Sequence, residues 1–260
     1  MKIIVLVKQV YGEINRTPHS TKPSELQTHL INETDRNAIE EALRIREKHG
    51  GTVTALTMGP MNSQSTLREA LAMGVDEAIL LSDEFFEGSD SHATVTVLAA
   101  AVTKILDYDL ILCGAYSDDL FALQVGPRLA EECNLPQITY ATKITLEGRR
   151  VIVERDLENE LQTIEGKLPC LIIVLSELNE PRVPSSEDRN AALNKDIIGW
   201  NATYLSLSEE ELGFNGSLVD ILRITEFAGK RKPVFLRGEI RDIVPKIVNV
   251  LEEEGVLREL

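Results

Sequence analysis

The stretch CGAYSDDLFALQVGP, Cys113 to Pro127, ends an apolar run and enters a helix-like pattern. At the start of that helix, Gln124 and Val125 would present backbone N–H groups to an anion, with the helix dipole aiding. Yet the stretch lacks the glycines of a phosphate loop. Asp118 and Asp119 are adjacent, a pattern that suits a capped turn as well as acid–base chemistry. Elsewhere the ordinary catalytic signatures are missing: there is no GxGxxG, GxxxxGK[ST], GxSxG or HExxH. His19, His29, His49 and His92 show no ligand spacing. Cys113, Cys133 and Cys170 are far apart and form no CxxC, which argues against both a disulfide framework and a zinc site. A reducing cytoplasm fits such cysteines, and any redox chemistry would need a cofactor.

The elements that must position these residues follow from periodicity. KIIVLVK at the N-terminus reads as a first strand, not a signal peptide, because Lys8 and Gln9 follow where a cleavage site would need small residues. TDRNAIEEALRIREKHGG places Ala38, Ile39, Ala42, Leu43 and Ile45 largely on one helical face and stops at Gly50 and Gly51. TVTALTM, EAILLS and DLILCG predict further strands, separated by the helical stretches STLREALAMG and DSHATVTVLAAAVTKIL. This alternation is the signature of a parallel sheet covered by helices. Beyond Pro136, VIVERDLE, ELQTIEGK and CLIIVLS are spaced too closely for intervening helices, so they predict an antiparallel addition. From Glu180 the apolar periodicity fades, predicting an extended arm that packs on another chain, and a last helix spans about 241–257 with Ile243, Ile247, Val250 and Leu251 on one face. The expected division is a nucleotide-binding domain over 1–185 and an arm over 186–260. In such a sheet, ligands bind beyond the carboxyl ends of the strands, here Lys8 and Gln9, Met58 and Gly59, Ser82 and Asp83, and Gly114 onward.

The 260 residues carry a net charge of −15, which argues against nucleic acid, where binding rests on Lys and Arg. No apolar run reaches the roughly 18 residues of a membrane span. A soluble, cytoplasmic nucleotide-site protein is the expectation.

Several segments together resemble the β subunit of an electron transfer flavoprotein. VKQV (Val7 to Val10), NETDRNAIEEALRIREK from Asn32, TMGP, LREALAMGVDEAILLSD, GSDSHATV, VERDLENELQTIEGKLPCLIIV and ELNEPRVPS follow that family's order and spacing. The resemblance implies a Rossmann-like α/β domain whose C-terminal arm wraps an α subunit. It places nucleotide contacts on Leu6, Lys8, Asn32, Glu33, Thr34, Asp35, Met58, Gly114, Ser117, Asp119, Phe121, Ala122, Leu123, Gln124 and Val125. Asn32 could bond the sugar or adenine, or cap its helix; Phe121 could stack on an aromatic ring or belong to the core. The loop departs from the common family form at Ala115, Phe121 and Ala122 and is similar to the nitrogen-fixation-associated (Fix-type) branch. That favours FAD over AMP in the β site, with NAD(H) exchanging electrons and bifurcation toward ferredoxin or flavodoxin. The resemblance also assigns Leu178, Asn179, Glu180 and Arg182 to a loop that docks on a flavin dehydrogenase, of the acyl-CoA or 2-hydroxy acid type. A lysine-rich patch usual after that loop is replaced by Arg182, Arg189 and Lys195 against Glu187, Asp188 and Asp196. Other readings are a conventional carrier with AMP, a nucleotide sensor without redox role, and a scaffold whose site has decayed.

Overall fold

The computed structural model describes residues 1–12, 28–119, 122–219, 222–223 and 235–255. Its centre is the strand β1 (Lys2–Leu6), whose residues Ile3 and Val5 face one helical layer while Ile4 and Leu6 face the other. Both faces being covered, the strand is apolar and buried from Ile3 to Leu6, as a buried parallel strand must be. A short hairpin of β2 (Gln9–Gly12) and β3 (Thr28–Ile31) leads into α1 (Glu33–His49), with β4 (Thr52–Met58), α2 (Gln64–Met73), β5 (Glu77–Leu81) and α3 (Ser91–Lys104) following. Next come β6 (Leu110–Gly114), α4 (Val125–Glu132), β7 (Gln137–Glu147), β8 (Arg150–Asp156), β9 (Leu161–Lys167) and β10 (Cys170–Val174). The chain closes this unit with α5 (Ser186–Leu193), β11 (Ile198–Trp200), α6 (Ala202–Leu205) and α7 (Gly213–Gly216).

The main sheet has nine strands in the order β11-β5-β4-β1-β6-β10-β7-β8-β9. β1 lies between β4 and β6 and runs parallel to both. The chain therefore winds outward through β4 and β5 and then returns to start again at β6. The crevice between the ends of β1 and β6 is the topological switch point, where open α/β sheets bind ligands. α1 and α2 pack with one face of β1, while α3 and α4 cover the other.

Three expectations change. CLIIV is not part of an antiparallel addition: β10 runs parallel to both β6 and β7 and is buried along its whole length. Within the nine-stranded sheet only the β7–β8 and β8–β9 pairs are antiparallel. The unit is also larger than expected, running from Met1 to Asp220, past the anticipated boundary at 185. Its last part folds back on the domain. Ser185 and Asp188 form a capping box for α5, and Arg68 holds the carbonyls of Ala192 and Lys195 against α2. β11 then adds to the β5 edge in parallel register. The second unit spans Ile221–Leu260. It contains α8 (Ile240–Glu253), which exposes Ile240, Val244, Ile247, Val248 and Val250. No helix among the described residues is long and apolar enough to cross a membrane.

Candidate nucleotide-binding site

The end of β1 and the end of β6 are joined through one carboxylate. Asp35, in the first turn of α1, accepts the backbone N–H of Lys8 at 2.8 Å on one oxygen and that of Gly114 at 3.0 Å on the other. Burial outweighs these bonds and pushes the Asp35 carboxyl up from 3.8 to about 7. The approach is so close that a Cβ on Gly114 would run into Thr34 Oγ1 and meet Asp35 Oδ1 at 2.5 Å, so glycine is required by the contact rather than by backbone dihedrals.

Asn32 does not cap its helix through its side chain, although it occupies the N-cap position of α1. Instead Nδ2 donates to Thr34 Oγ1 at 3.0 Å and to the Tyr116 carbonyl at 2.8 Å, and Oδ1 accepts from the Asp118 N–H at 3.0 Å. Thr34 Oγ1 donates to the same Tyr116 carbonyl at 2.8 Å. The loop after β6 is thus pinned to the start of α1 by two buried polar side chains.

Above this floor, Lys8 Nζ donates to Ser117 Oγ at 3.2 Å and pairs with Asp119 Oδ1 at 2.6 Å. Some burial raises the Asp119 pKa, but the hydrogen bonds from Lys8 and Ser117 hold it below the ordinary carboxylate value. Asp119 is therefore an ion-paired carboxylate rather than a poised acid or base. Leu6 is buried at the end of β1, Met58 half-buried at the end of β4, and Glu33 exposed at the start of α1. Ala122, Leu123 and Gln124 are exposed at the entry to α4, with Leu123 at φ 51°. Gln124 Oε1 accepts from Ser91 Oγ at 2.6 Å, fixing this entry to the start of α3. The first turn of α4 carries Val125 and Gly126, whose N–H groups have no carbonyl within the helix to donate to. Phe121 lies outside the described residues. Burial pushes the Cys113 thiol up, which keeps it protonated and inert, as a small core residue should be.

A family model described as "Electron transfer flavoprotein domain" matches residues 24–204. The chain belongs to the electron transfer flavoprotein family. It is 41% identical to a protein named electron transfer flavoprotein subunit beta of Thermoanaerobacterium thermosaccharolyticum, over 99% of this chain and all of that one. It is 36% identical to the caffeyl-CoA reductase-Etf complex subunit CarD of Acetobacterium woodii, over 99% of this chain and all of the relative. With Protein FixA of Azorhizobium caulinodans it shares 37% identity over 86% of this chain and 84% of the relative. Electron transfer is accordingly the role of the chain, and the family's designation as flavoproteins points to a flavin.

The described residues among the expected nucleotide contacts lie at one end of the sheet; of the expected docking residues, Glu180 is exposed while Leu178, Asn179 and Arg182 are half-buried. Leu178 packs half-buried against the α1–α2 side of the core. The Asn179 carbonyl accepts from Asn37 Nδ2 at 2.7 Å, while Asn179 Nδ2 donates to the Asn37 carbonyl and to Glu41. Arg182 bonds Glu40 at 2.7 Å and Glu47 at 2.7 Å. Burial raises Glu40, but the Arg182 bonds prevail and hold its carboxyl below the ordinary value. Glu180 is exposed, with its carbonyl accepting from Arg44, and the apolar residues that project nearby are Val183 of the loop, 84% exposed, and Leu193 on α5, 65% exposed. Tyr116 falls within the stretch expected to line the site, but the role of its carbonyl as the hub of the loop was not foreseen, because a backbone acceptor leaves no residue-type signal.

The site suits a nucleotide on grounds of its own. It offers a cation at Lys8, a hydroxyl at Ser117 and the open first turn of α4, all at the switch crevice. In addition, the buried amide nitrogen of Gln9, next to Lys8, has no hydrogen-bond partner among the described residues.

Proposed function

We propose that the chain is the β subunit of a heterodimeric electron transfer flavoprotein that holds FAD at the β1–β6 crevice, takes electrons from NADH and divides them between a flavin dehydrogenase and a low-potential acceptor such as ferredoxin or flavodoxin. The observation that carries this reading is the junction of Lys8, Asn32, Thr34, Asp35 and Gly114, which fixes a phosphate-suited loop at the switch point of the sheet. When bound, FAD supplies two-electron exchange with a nicotinamide and one-electron exchange with other centres. The residues of this chain do the holding. Lys8 and the first turn of α4 meet the phosphates, Asn32 and Thr34 keep the loop from collapsing into the crevice, and Asp35 fixes the distance between the two strand ends.

FAD is favoured over AMP by the form of the loop: Asp119 and the Gln124–Val125–Gly126 run are kept while Ala115, Phe121 and Ala122 replace the arginine, aspartate and threonine of the common form, and relatives sharing much of the chain are named FixA. A relative named for a caffeyl-CoA reductase complex supports a dehydrogenase partner of the acyl-CoA type. The exposed apolar face of α8 supports an α subunit as the chain it rests on. The test is to purify the chain with its α subunit, denature the complex and count nucleotides. Two FAD per heterodimer is the expected result; one FAD with one AMP overturns the bifurcating assignment and leaves a conventional carrier.

A further inference from the structure

Three buried side-chain atoms lack a hydrogen-bond partner among the described residues: Gln9 Nε2, Thr66 Oγ1 and Arg155 Nε. Thr66 lies within α2 and Arg155 within β8, away from the switch crevice. Gln9 alone stands at the carboxyl edge of the parallel strands, directly after Lys8.

Its orientation is built from the neighbouring strand. The Val7 N–H donates to the Leu56 carbonyl at 2.9 Å and Thr57 Oγ1 to the Val7 carbonyl, which ties the exit of β1 to that of β4. Beyond β4 the chain turns tightly. The Gly59 N–H donates to the Leu81 carbonyl at 3.0 Å, and the Ser63 hydroxyl sits so near Gly59 that a Cβ there would collide with it. Buried Ser63 then donates through Oγ to Gln9 Oε1 at 2.5 Å. With its acceptor end engaged, the amide nitrogen donates to nothing among the described residues. A buried donor left unpaired costs about 1–3 kcal/mol, so it calls for a partner, and at the mouth of a ligand crevice a ligand can supply one.

We infer that Gln9 reads the base of the nucleotide, its Nε2 donating to a ring nitrogen of adenine. This deepens the nucleotide reading given above and rests on it. The crevice is chemically polarised. On the β6 side stand Lys8 Nζ, Ser117 and the first turn of α4, suited to phosphate; on the β4 side stands a neutral donor fixed by Ser63. Adenine offers ring-nitrogen acceptors and no charge, which is what a neutral buried amide can satisfy. Both FAD and AMP carry that base, and FMN lacks it.

The test uses the full chain freed of nucleotide, titrated calorimetrically with AMP, FAD and FMN, in the wild type and in Gln9→Met combined with Ser63→Ala. The double substitution removes the donor and its support together, leaving no new unpaired group. AMP and FAD should each bind about 3–10-fold more weakly, by a common factor, as loss of one neutral hydrogen bond implies. FMN affinity should not change. The nucleotide-free variant should unfold at the same temperature as the wild type or higher, because an unpaired buried donor has been removed. A structural role for Gln9 gives the reverse, a lower midpoint, and that result overturns the inference. Unchanged AMP and FAD affinity sinks the Gln9 assignment alone. Failure of the wild type to bind either nucleotide sinks the nucleotide reading itself, and this inference with it.

Discussion

Asp35 gives the sharpest quantitative handle on the site. Its carboxyl is pushed from 3.8 up to about 7 by burial, so between those two values the folded chain holds a proton that the unfolded chain has lost. Stability contributed by this group therefore falls as pH rises through that window and is constant above it. The span is about three pH units, which at 1.36 kcal/mol for each is about 4 kcal/mol. Asp35→Asn removes the titration but keeps only one acceptor oxygen, leaving either the Lys8 or the Gly114 N–H without its partner at a cost of about 1–3 kcal/mol. At pH 8 the substitution should thus stabilise the protein by about 1–3 kcal/mol, and at pH 5 that advantage should vanish or reverse. Urea denaturation followed by far-UV circular dichroism, at half-unit steps from pH 5 to 8.5, measures both curves. Burial also raises the Glu41 carboxyl, but that slope is common to wild type and variant and cancels in their difference. A difference curve that stays flat from pH 5 to 7 would mean that Asp35 is ionised throughout, and the argument from burial would be refuted.

Gly114→Ala forces a Cβ onto Thr34 Oγ1 and Asp35 Oδ1, so it should cost about 1–3 kcal/mol in denaturation and release the bound nucleotide on gel filtration. Arg182→Ala leaves the nearly buried Glu40 with Arg44 alone; about 1–3 kcal/mol should be lost at neutral pH. Because Glu40 is held below its ordinary value, this stabilisation exists above pH 4.5 and disappears as pH falls through the folded pKa, so the two proteins should converge in acid. Ile247→Asp, on the exposed face of α8, should leave the thermal midpoint of the chain unchanged while reducing recovery of the α subunit in a pull-down.

The parallel half of the fold was legible because each strand is buried on both faces and so reads as an unbroken apolar run. The same signal was present in CLIIV, but strand direction is not written in composition, and the short spacing to its neighbours suggested an antiparallel partner. β7 escaped notice because its burial is irregular along QITYATKITLE, with no clean period of two. The end of the compact unit, at Asp220 rather than 185, was hidden for a related reason. Its buried contacts rest on isolated residues, Ala192, Ala202, Leu205 and Leu212, which no periodicity links. Of the site, the strand ends and the α4 entry were readable from topology. The Asn32–Thr34–Tyr116 junction was not, since it depends on a carbonyl 84 residues away from Asn32 in the chain.

The position of β10 also dictates when the site can exist. Ala115, the first residue past β6, anchors its N–H on the carbonyl of Val174, the last residue of β10. Between the two, the chain must make α4, β7 and the β8–β9 hairpin, and then thread β10 in parallel between β6 and β7. Such non-local parallel pairing is slow because loop closure precedes its reward. During synthesis, Lys8, Asn32 and Asp35 emerge early, but the loop they grip has no root until Val174 has arrived. Completion of the proposed nucleotide site is therefore a late event in the maturation of this chain, however early Lys8, Asn32 and Asp35 appear.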